Sequence, residues 1–155
     1  LYCGLNKKHS LKIAALFEIS KRSRILRSDH IPKVQNSNAI YELLMPYYDN
    51  VFTENFYAIY INRALKVLQI KKISEGGITG TVVDPLVITK HAIFCNAINI
   101  VLSHNHPSGN FRPSDTDILL TKKIKEALNL FDIKLLDHII VGDGCYYSFA
   151  DEGVL

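Results

Sequence analysis

Residues 99–117 read NIVLSHNHPSGNFRPSDTD, and this stretch decides how the rest of the chain is interpreted. The apolar run at residues 100–102 predicts a short buried strand, and the proline and glycine residues after it predict a loop. His104 and His106 come at the exit of the strand. Residues two apart in an extended chain point to the same face, about 6.6 Å apart at their backbones, so both imidazole rings can reach one small ion.

Asp117 lies eleven residues after His106, where the polar loop gives way to a helical pattern. It can fold back to supply a third, anionic ligand. Two nitrogen ligands and one carboxylate leave the fourth position of a tetrahedral site open, and this distinguishes a catalytic zinc from a structural one. Two alternatives stay open: the histidines can be polar tips at a strand end, and Asp115 is a neighbouring carboxylate.

The literal pattern is His-x-His, seven residues, Ser, two residues, Asp. It resembles the signature of the JAMM metalloproteases, also called MPN+ or JAB-domain proteins. The phrases SHNHPSGNFRPSDTD, LLDHIIVGDG and YYSFADEGVL are similar to the RadC branch of that family. The resemblance spans residues 36–155 and implies a JAB/MPN fold of the α/β (α+β) class. This is a three-layer α-β-α sandwich with a mixed sheet, similar to cytidine deaminases. The resemblance also implies one zinc ion, held by His104, His106 and Asp117.

Hydrolysis at such a site also needs a group that takes a proton from water and passes it to the leaving group. Glu75 ends an apolar strand beside a glycine-rich turn, and the resemblance implies that it is the catalytic glutamate. By the same analogy, Ser114 donates a hydrogen bond to the oxyanion of the tetrahedral intermediate. From the residues alone, Glu75 can be an exposed turn acid, and Ser114 with Asp117 can form a helix-capping box. His138 is predicted to be a core histidine or a partner of a ligand, and not a ligand itself.

The remaining pattern predicts the elements around the site. Helices are expected from residue 36 or 37 to about 44, where Pro46 ends the helix, from 84 to about 97, and from 115 to 131. Strands are expected at 16–25, 56–61, 65–73, 133–141 and 145–149, the second and third forming an antiparallel hairpin. The helix at 115–131 is expected to turn its apolar residues to the core: Ile118, Leu119, Ile124, Ala127, Leu128 and Phe131.

Composition and charge set the broad class of the protein. A chain of 155 residues with 48% hydrophobic and 21% charged residues is typical of one soluble, globular domain. Three cysteines without a pairing rhythm favour a reducing cytoplasm, and no apolar run is long enough for a membrane span. Residues 1–35 carry eight basic and two acidic residues, whereas residues 36–155 carry ten and thirteen. We therefore expect a partly ordered basic arm at 1–35 and the RadC-like JAB/MPN+ metalloprotease-type domain at 36–155.

Two functions follow from this interpretation. The first is a zinc-dependent hydrolase of amide or isopeptide bonds in a peptide or protein substrate. The second is a non-catalytic RadC-like binding module that contacts DNA or a protein partner through the basic arm. The resemblance adds the traditional description of RadC-like proteins as DNA-repair proteins. A zinc nucleoside deaminase is excluded, because its Pro-Cys-x-x-Cys ligands are missing. The residues identify neither the substrate nor the oligomeric state.

Overall fold

The computed structural model describes residues 7–26, 33–76 and 83–155. The chain divides into two compact units, Leu1–His30 and Ile31–Leu155, and each is described by itself. Within the described residues the elements are α1 (Lys7–Leu26), α2 (Ser37–Tyr48), β1 (Asn55–Ile61), β2 (Val67–Glu75), α3 (Pro85–Phe94), β3 (Asn99–Asn105), α4 (Asp115–Asn129), β4 (Lys134–Val141) and β5 (Tyr146–Ser148).

The described part of the first unit is helix α1, so the strand predicted at residues 16–25 is wrong. The helix covers twenty residues without glycine or proline, many of them good helix formers such as Lys, Leu, Ala and Arg. Glu18 and Arg22, one turn apart, form an ion pair at 2.7 Å. A loose alternation over a few residues was weaker evidence than this long uninterrupted run. Among the described residues, no helix combines the length and the apolar character that crossing a bilayer requires.

The second unit is built on a five-stranded sheet with the order β2-β1-β3-β4-β5. Strands β3 and β4 run parallel, and the other neighbouring pairs are antiparallel. The mixed sheet and the hairpin of β1 and β2 were both predicted, and both are confirmed. Strand β3, which contains His104 and directly precedes His106, lies at the centre of the sheet.

Helices α3 and α4 cover one face of the sheet, and α2 covers the other. Alternate residues of β1, such as Phe56 and Tyr60, pack with residues of α3 and α4 into one apolar cluster. The residues between them, such as Tyr57 and Ile59, pack with α2 into a second cluster. Because successive side chains of a strand point to opposite faces, one strand supplies both clusters. The predicted three-layer α-β-α sandwich is confirmed.

Two helices end earlier than predicted, for the same reason. Helix α3 ends at residue 94 and α4 at residue 129, and shortly after each end a residue has a positive φ: Asn96 at 55° and Asp132 at 56°. In both cases the next backbone N–H donates back to the helix, from Ala97 to the Ala92 carbonyl and from Ile133 to the Leu128 carbonyl. A left-handed residue in this place reverses the chain and stops the helix.

Helix α2 begins where predicted but continues past Pro46 to residue 48. The side chain of Asn36 caps it by accepting from the Ala39 N–H at 2.8 Å. A proline removes one backbone hydrogen bond and does not prevent the next residues from remaining helical. The last turn is held by burial of Leu44 and Tyr48, and the Tyr48 hydroxyl donates to Ser103 Oγ at 2.8 Å.

Helix α4 turns a narrower face to the sheet than predicted. Its buried residues are Thr121, Ile124 and Leu128. Leu119 is 67% exposed and Phe131 54% exposed. Positions separated by three or four residues share a helical face, so the stripe through 121, 124 and 128 leaves residue 119 on the outside. The apolar pattern alone did not show that a threonine belongs to the buried stripe.

Candidate metal centre

His104 is held inside the sheet. It pairs with Phe56 of β1 on one side and with Ile140 of β4 on the other. The residue is 1% exposed, and its ring stacks on the Phe56 ring, with the centroids 5.6 Å apart and 8° between the planes. Neighbouring strands on both sides therefore determine where the imidazole lies.

His106 directly follows the last residue of β3 and is held by the loop that begins there. Its backbone N–H donates to the Val141 carbonyl at 2.9 Å, and its carbonyl accepts from the Gly109 N–H at 2.9 Å. Gly109 closes this turn with a φ of 81°, which favours glycine. The ring Nδ1 lies 2.6 Å from the Asn110 carbonyl oxygen. Because a carbonyl can only accept, the proton of neutral His106 lies on Nδ1, and Nε2 carries a lone pair.

Asp117 lies in the first turn of α4, on the stripe that faces the sheet with Thr121 and Leu128. Ser114 caps the helix: its Oγ accepts from the Asp117 N–H at 3.2 Å. In return, the N–H and the Oγ of Ser114 donate to Asp117 Oδ2 at 2.8 and 2.6 Å. Capping thus uses Oδ2, whereas Oδ1 faces His104. The carboxylate can both cap the helix and serve as a ligand.

The structure brings the three predicted ligands together. His104 Nε2 lies 3.0 Å from His106 Nε2 and 3.3 Å from Asp117 Oδ1. His106 Nε2 lies 3.6 Å from Asp117 Oδ2. One potential ligand atom from each residue lies within 4.8 Å of the other two. A group of this size can hold a metal ion.

Electrostatics in the group favour a positive charge at its centre. Burial alone would raise the pKa of Asp117, but its polar contacts with His104, His106 and Ser114 outweigh burial and hold that pKa well below its ordinary value. The carboxylate of Asp117, which would accept from a protonated His106, raises the pKa of His106 above its ordinary value, although burial opposes it. An anionic carboxylate facing two imidazoles attracts a proton or a metal ion.

Ser114 lies beside the group, and the capping box predicted as the alternative role for this residue is present. Its hydroxyl contacts Thr116 Oγ1 at 2.7 Å in addition to Asp117 Oδ2. A hydroxyl carries one proton. To donate to a substrate oxyanion, Ser114 therefore has to turn its proton away from Asp117.

Glu75 is not brought to the three ligands. It ends β2, its side chain is 57% exposed, and its carboxylate accepts from Lys72 Nζ at 2.6 Å. That hydrogen bond is the main cause of its lowered pKa. Burial is the main cause that raises the pKa of Tyr57 to about 12, and the negative charge of Glu75 adds to it. Tyr57 packs on the α2 face of the sheet. His104 stacks on Phe56, which belongs to the opposite face. The geometry supports the exposed turn acid that was the alternative for Glu75.

Comparison with known proteins gives the family. The RadC-like JAB domain family matches residues 34–154. This chain belongs to the RadC-like JAB domain family. The resemblance drawn from the His-x-His stretch is confirmed, and the observed α+β architecture agrees with the family.

Relatives of this RadC-like chain include several proteins named UPF0758. One from Flavobacterium johnsoniae is 35% identical over 151 residues, covering 97% of this chain and 66% of the relative. One from Methanococcoides burtonii is 34% identical over 152 residues, covering 98% and 66%. One from Porphyromonas gingivalis is 34% identical over 156 residues, covering 98% and 67%. The chain spans about two thirds of the length of these curated relatives, and their names state no reaction.

Glu54 of the RadC-like domain is a carboxylate that sequence reasoning missed. It directly precedes β1, which pairs antiparallel with β3 in a register that places Phe56 opposite His104. The residue that enters β1 therefore lies at the end of the sheet where His106 leaves β3. The pKa of His106 is raised mainly by Asp117, and the charge of Glu54 adds to this increase. In the sequence, the available signal was an acidic residue just before an aromatic strand. Only the pairing of β1 with β3 shows that this residue lies at the same end of the sheet as His106.

His138 contacts the ring of His104 at Nδ1, the nitrogen that does not face His106 and Asp117. This contact agrees with one of its two predicted roles, a partner of a ligand. It is fully buried in β4, and its Nε2 lies 2.9 Å from His104 Nδ1. Its Nδ1 lies 2.6 Å from Thr121 Oγ1. Burial lowers the pKa of His138 well below its ordinary value, so the ring is neutral.

A cleft opens beside His106 in the RadC-like domain, with a volume of about 340 Å³. Met45 and Tyr48 of α2 line one side, and the loop of His106 and the turn at Gly142 line the other. Apolar and polar side chains both contribute, including Asn105. Of the three proposed ligands, His106 is the one that lines this cleft.

Proposed function

We propose that this RadC-like domain is a zinc-dependent hydrolase of amide or isopeptide bonds. The observation that supports the proposal most directly is the convergence of the Nε2 atoms of His104 and His106 with the carboxylate of Asp117. Membership of a family named for the JAB domain agrees with this chemistry. The substrate class, a peptide or protein, belongs to the proposal as well.

The donor set fits zinc in both chemistry and spacing. Two nitrogens, each about 2.05 Å from a tetrahedral zinc, are about 3.3 Å apart. The two Nε2 atoms are 3.0 Å apart, and each lies close to one oxygen of Asp117: His104 is 3.3 Å from Oδ1 and His106 is 3.6 Å from Oδ2. His106 Nε2 carries a lone pair, and Asp117 is anionic. Nitrogen and carboxylate ligands also bind other divalent metals, so the first experiment has to identify the metal as well as count it.

A zinc ion held by His104, His106 and Asp117 would lower the pKa of a water molecule to about 7 and would polarise a carbonyl group. In this proposal Glu54 accepts the proton from water and returns it to the leaving amine, because its charge acts on His106 at the same end of the sheet. This is the role predicted for Glu75. Strand β1 separates β2 from β3, and two strand spacings amount to about 10 Å, so Glu75 is less well placed.

Ser114 keeps its proposed role as a donor to the oxyanion. The residue adjoins Asp117 and is exposed to a ligand that approaches the site. Turning its proton from Asp117 Oδ2 to the developing negative charge would supply a donor of a kind that contributes about 3 kcal/mol.

The test of the metal site is the metal content of protein purified without added metal, measured by mass spectrometry. We expect about one zinc per chain, as a three-ligand site implies, and a large loss in the double variant His104→Ala, His106→Ala. The control is His91→Ala, since the His91 ring contacts Gln69 and Lys71 and lies outside the group. Equal metal content in all three proteins would rule out the site.

The test of hydrolysis uses the metal-loaded protein and a peptide library that contains both main-chain amides and lysine-linked isopeptides. Cleavage products are detected by mass spectrometry, before and after removal of the metal with a chelator. Metal-dependent cleavage of either linkage supports the proposal. A fully loaded protein that cleaves neither linkage contradicts it.

A second proposed function is a binding module that contacts DNA through the basic arm. Helix α1 supports it, because the exposed residues Lys7, Lys8, Lys12 and Arg22 give its surface a positive charge. Binding of this kind weakens steeply as salt concentration rises. Filter binding to duplex DNA over a salt series, with the full chain and with a deletion of residues 1–30, tests it. Equal binding by both proteins would contradict a role for the arm.

A further inference from the structure

A continuous set of buried hydrogen bonds runs from the backbone of Asp117 to the ring of His104. The Thr121 hydroxyl contacts the Asp117 carbonyl oxygen at 2.6 Å and His138 Nδ1 at 2.6 Å. His138 Nε2 contacts His104 Nδ1 at 2.9 Å. Thr121, His138 and His104 are all buried. The set therefore connects two of the proposed ligands through two residues that are not ligands.

The direction of each hydrogen bond follows from the carbonyl. A carbonyl oxygen only accepts, so the single hydroxyl proton of Thr121 goes to Asp117. Thr121 Oγ1 must then accept from His138, and this places the His138 proton on Nδ1. His138 is fully buried, and burial disfavours a charged ring, so the ring carries one proton and its Nε2 accepts from His104 Nδ1–H. The remaining nitrogen of His104, Nε2, carries a lone pair and faces His106 and Asp117.

An irregularity in the sheet brings His138 to the face where it makes these contacts. The pairing of β3 with β4 shifts by one residue between Ile100 and Val101, which pair with Leu135 and Asp137. Leu135 packs in the cluster of α3 and α4, whereas Ile139 packs in the cluster of α2. One extra residue in a strand exchanges the two faces for the residues after it. Without the shift, His138 would point away from His104.

We propose that Thr121 and His138 are positioning residues, which keep the proton of His104 on Nδ1 so that Nε2 is free to bind the metal. The inference rests on the proposed metal site and deepens it, because it assigns a task to two residues outside the ligand set. Hydrogen-bonded partners that orient a ligand histidine and select its tautomer commonly change metal affinity by 10- to 100-fold when they are removed.

The positioning is needed because Asp117 acts in the opposite direction. Asp117 Oδ1 lies 3.3 Å from His104 Nε2, and an anionic oxygen at that distance attracts a proton to Nε2. A proton on Nε2 would occupy the lone pair that the metal requires. His138 offers Nδ1–H a competing acceptor, and Thr121 keeps His138 in the tautomer that accepts.

The experiment compares three variants with the wild type. Thr121→Val removes the hydroxyl with little change in shape, and Thr121→Ser restores it. Thr89→Val is the matched control: Thr89 is buried, and its hydroxyl donates to the Pro85 carbonyl four residues earlier in α3 at 2.9 Å. The Thr89→Val variant loses the same kind of hydrogen bond, from a threonine hydroxyl to the carbonyl four residues earlier, in a helix of the same layer. This loss should not affect a histidine.

Two quantities are measured: the ¹⁵N NMR shifts of the His104 ring in metal-free protein, and zinc affinity by chelator competition. We expect the Nδ1–H tautomer in the wild type and in Thr121→Ser. In Thr121→Val we expect a shift toward Nε2–H and a zinc affinity lower by at least about tenfold. Thr89→Val should change neither quantity. Equal losses of affinity in Thr121→Val and Thr89→Val, or an unchanged His104 tautomer in Thr121→Val, would overturn the inference.

The two measurements also separate this inference from the proposed function. A wild type that binds no zinc would contradict the metal site, while the NMR shifts of the metal-free protein still test the tautomer. A wild type that binds zinc, together with a Thr121→Val variant of equal affinity, would leave the metal site in place and contradict the positioning role.

Discussion

At the scale of single residues, the carboxylate of Asp117 belongs both to the helix cap and to the group of proposed ligands. Oδ2 accepts from the backbone and hydroxyl of Ser114 and so caps α4, while Oδ1 lies 3.3 Å from His104 Nε2. A cap is formed by local hydrogen bonds within one turn. The cap therefore orients the carboxylate before any metal is present.

At this scale, we expect opposite effects from substituting Glu54 and Glu75. Glu54→Gln should keep its metal and lower the rate of metal-dependent peptide cleavage by about 10²- to 10⁴-fold, because an amide cannot take a proton from water. Glu75→Gln should cleave at close to the wild-type rate, since its carboxylate pairs with Lys72 at the exposed end of β2. Cleavage rates and metal content are measured together. Loss of activity in Glu75→Gln alone would restore Glu75 as the catalytic glutamate.

At the scale of elements, the turn after β4 supports the loop that carries His106. A Cβ atom on Gly142 would lie 2.5 Å from the Gly109 carbonyl oxygen and 2.9 Å from Phe111 Cβ. The first of these atoms is backbone, so it cannot move without moving the loop. The Asp143 N–H also donates to the Gly109 carbonyl, at 3.2 Å. The two loops thus pack through their backbones, and the position of the His106 loop depends on both.

Gly142→Ala should therefore weaken metal binding as well as folding. Overpacking of this kind typically costs about 1–3 kcal/mol, and here the displaced segment is the turn that positions His106. Urea unfolding and zinc titration measure the two effects.

The control for this prediction is Gly144→Ala in the same turn. Gly144 has a φ of 70°, so alanine is strained there, but its Cβ would meet no atom within 4 Å. We expect lower stability with unchanged zinc affinity. If both variants bind zinc as tightly as the wild type, the packing of the two loops does not control the site.

At the scale of the whole second unit, the site joins the centre of the sheet to the helical layer. His104 belongs to β3, His106 to the loop after it, and Asp117 to α4. A metal ion bound by all three would hold a strand, a loop and a helix at one point. An ion that binds the folded chain and not the unfolded chain stabilises the fold by mass action.

Zinc should accordingly raise the melting temperature of the wild type. At a free concentration 100 times the dissociation constant, the expected stabilisation is about 2.7 kcal/mol. The double variant His104→Ala, His106→Ala should show no increase. Thermal unfolding with zinc and with chelator measures both proteins. A similar increase in both would mean that zinc acts elsewhere on the chain.

Features of the fold that depend on neighbouring residues were predicted from the sequence, whereas features that depend on packing between distant residues were missed. The start of α2 at residue 36 or 37 and the strand at residues 56–61 depend on neighbouring residues, and both were predicted. The continuation of α2 past Pro46 was missed, because burial of Tyr48 against the sheet holds the last turn. The outward orientation of Leu119 was missed for the same reason, since packing decides which face of α4 is buried.

By itself, the sequence determined the family, the elements that carry the site and the grouping of His104, His106 and Asp117. It could do so because these ligands lie on one continuous strand, loop and helix, where spacing along the chain controls distance in space. Only the tertiary structure decided that Glu54 enters the sheet at the end where His106 leaves β3, and that His138 contacts His104. Both depend on which strands pair and in which register, and pairing joins residues far apart along the chain.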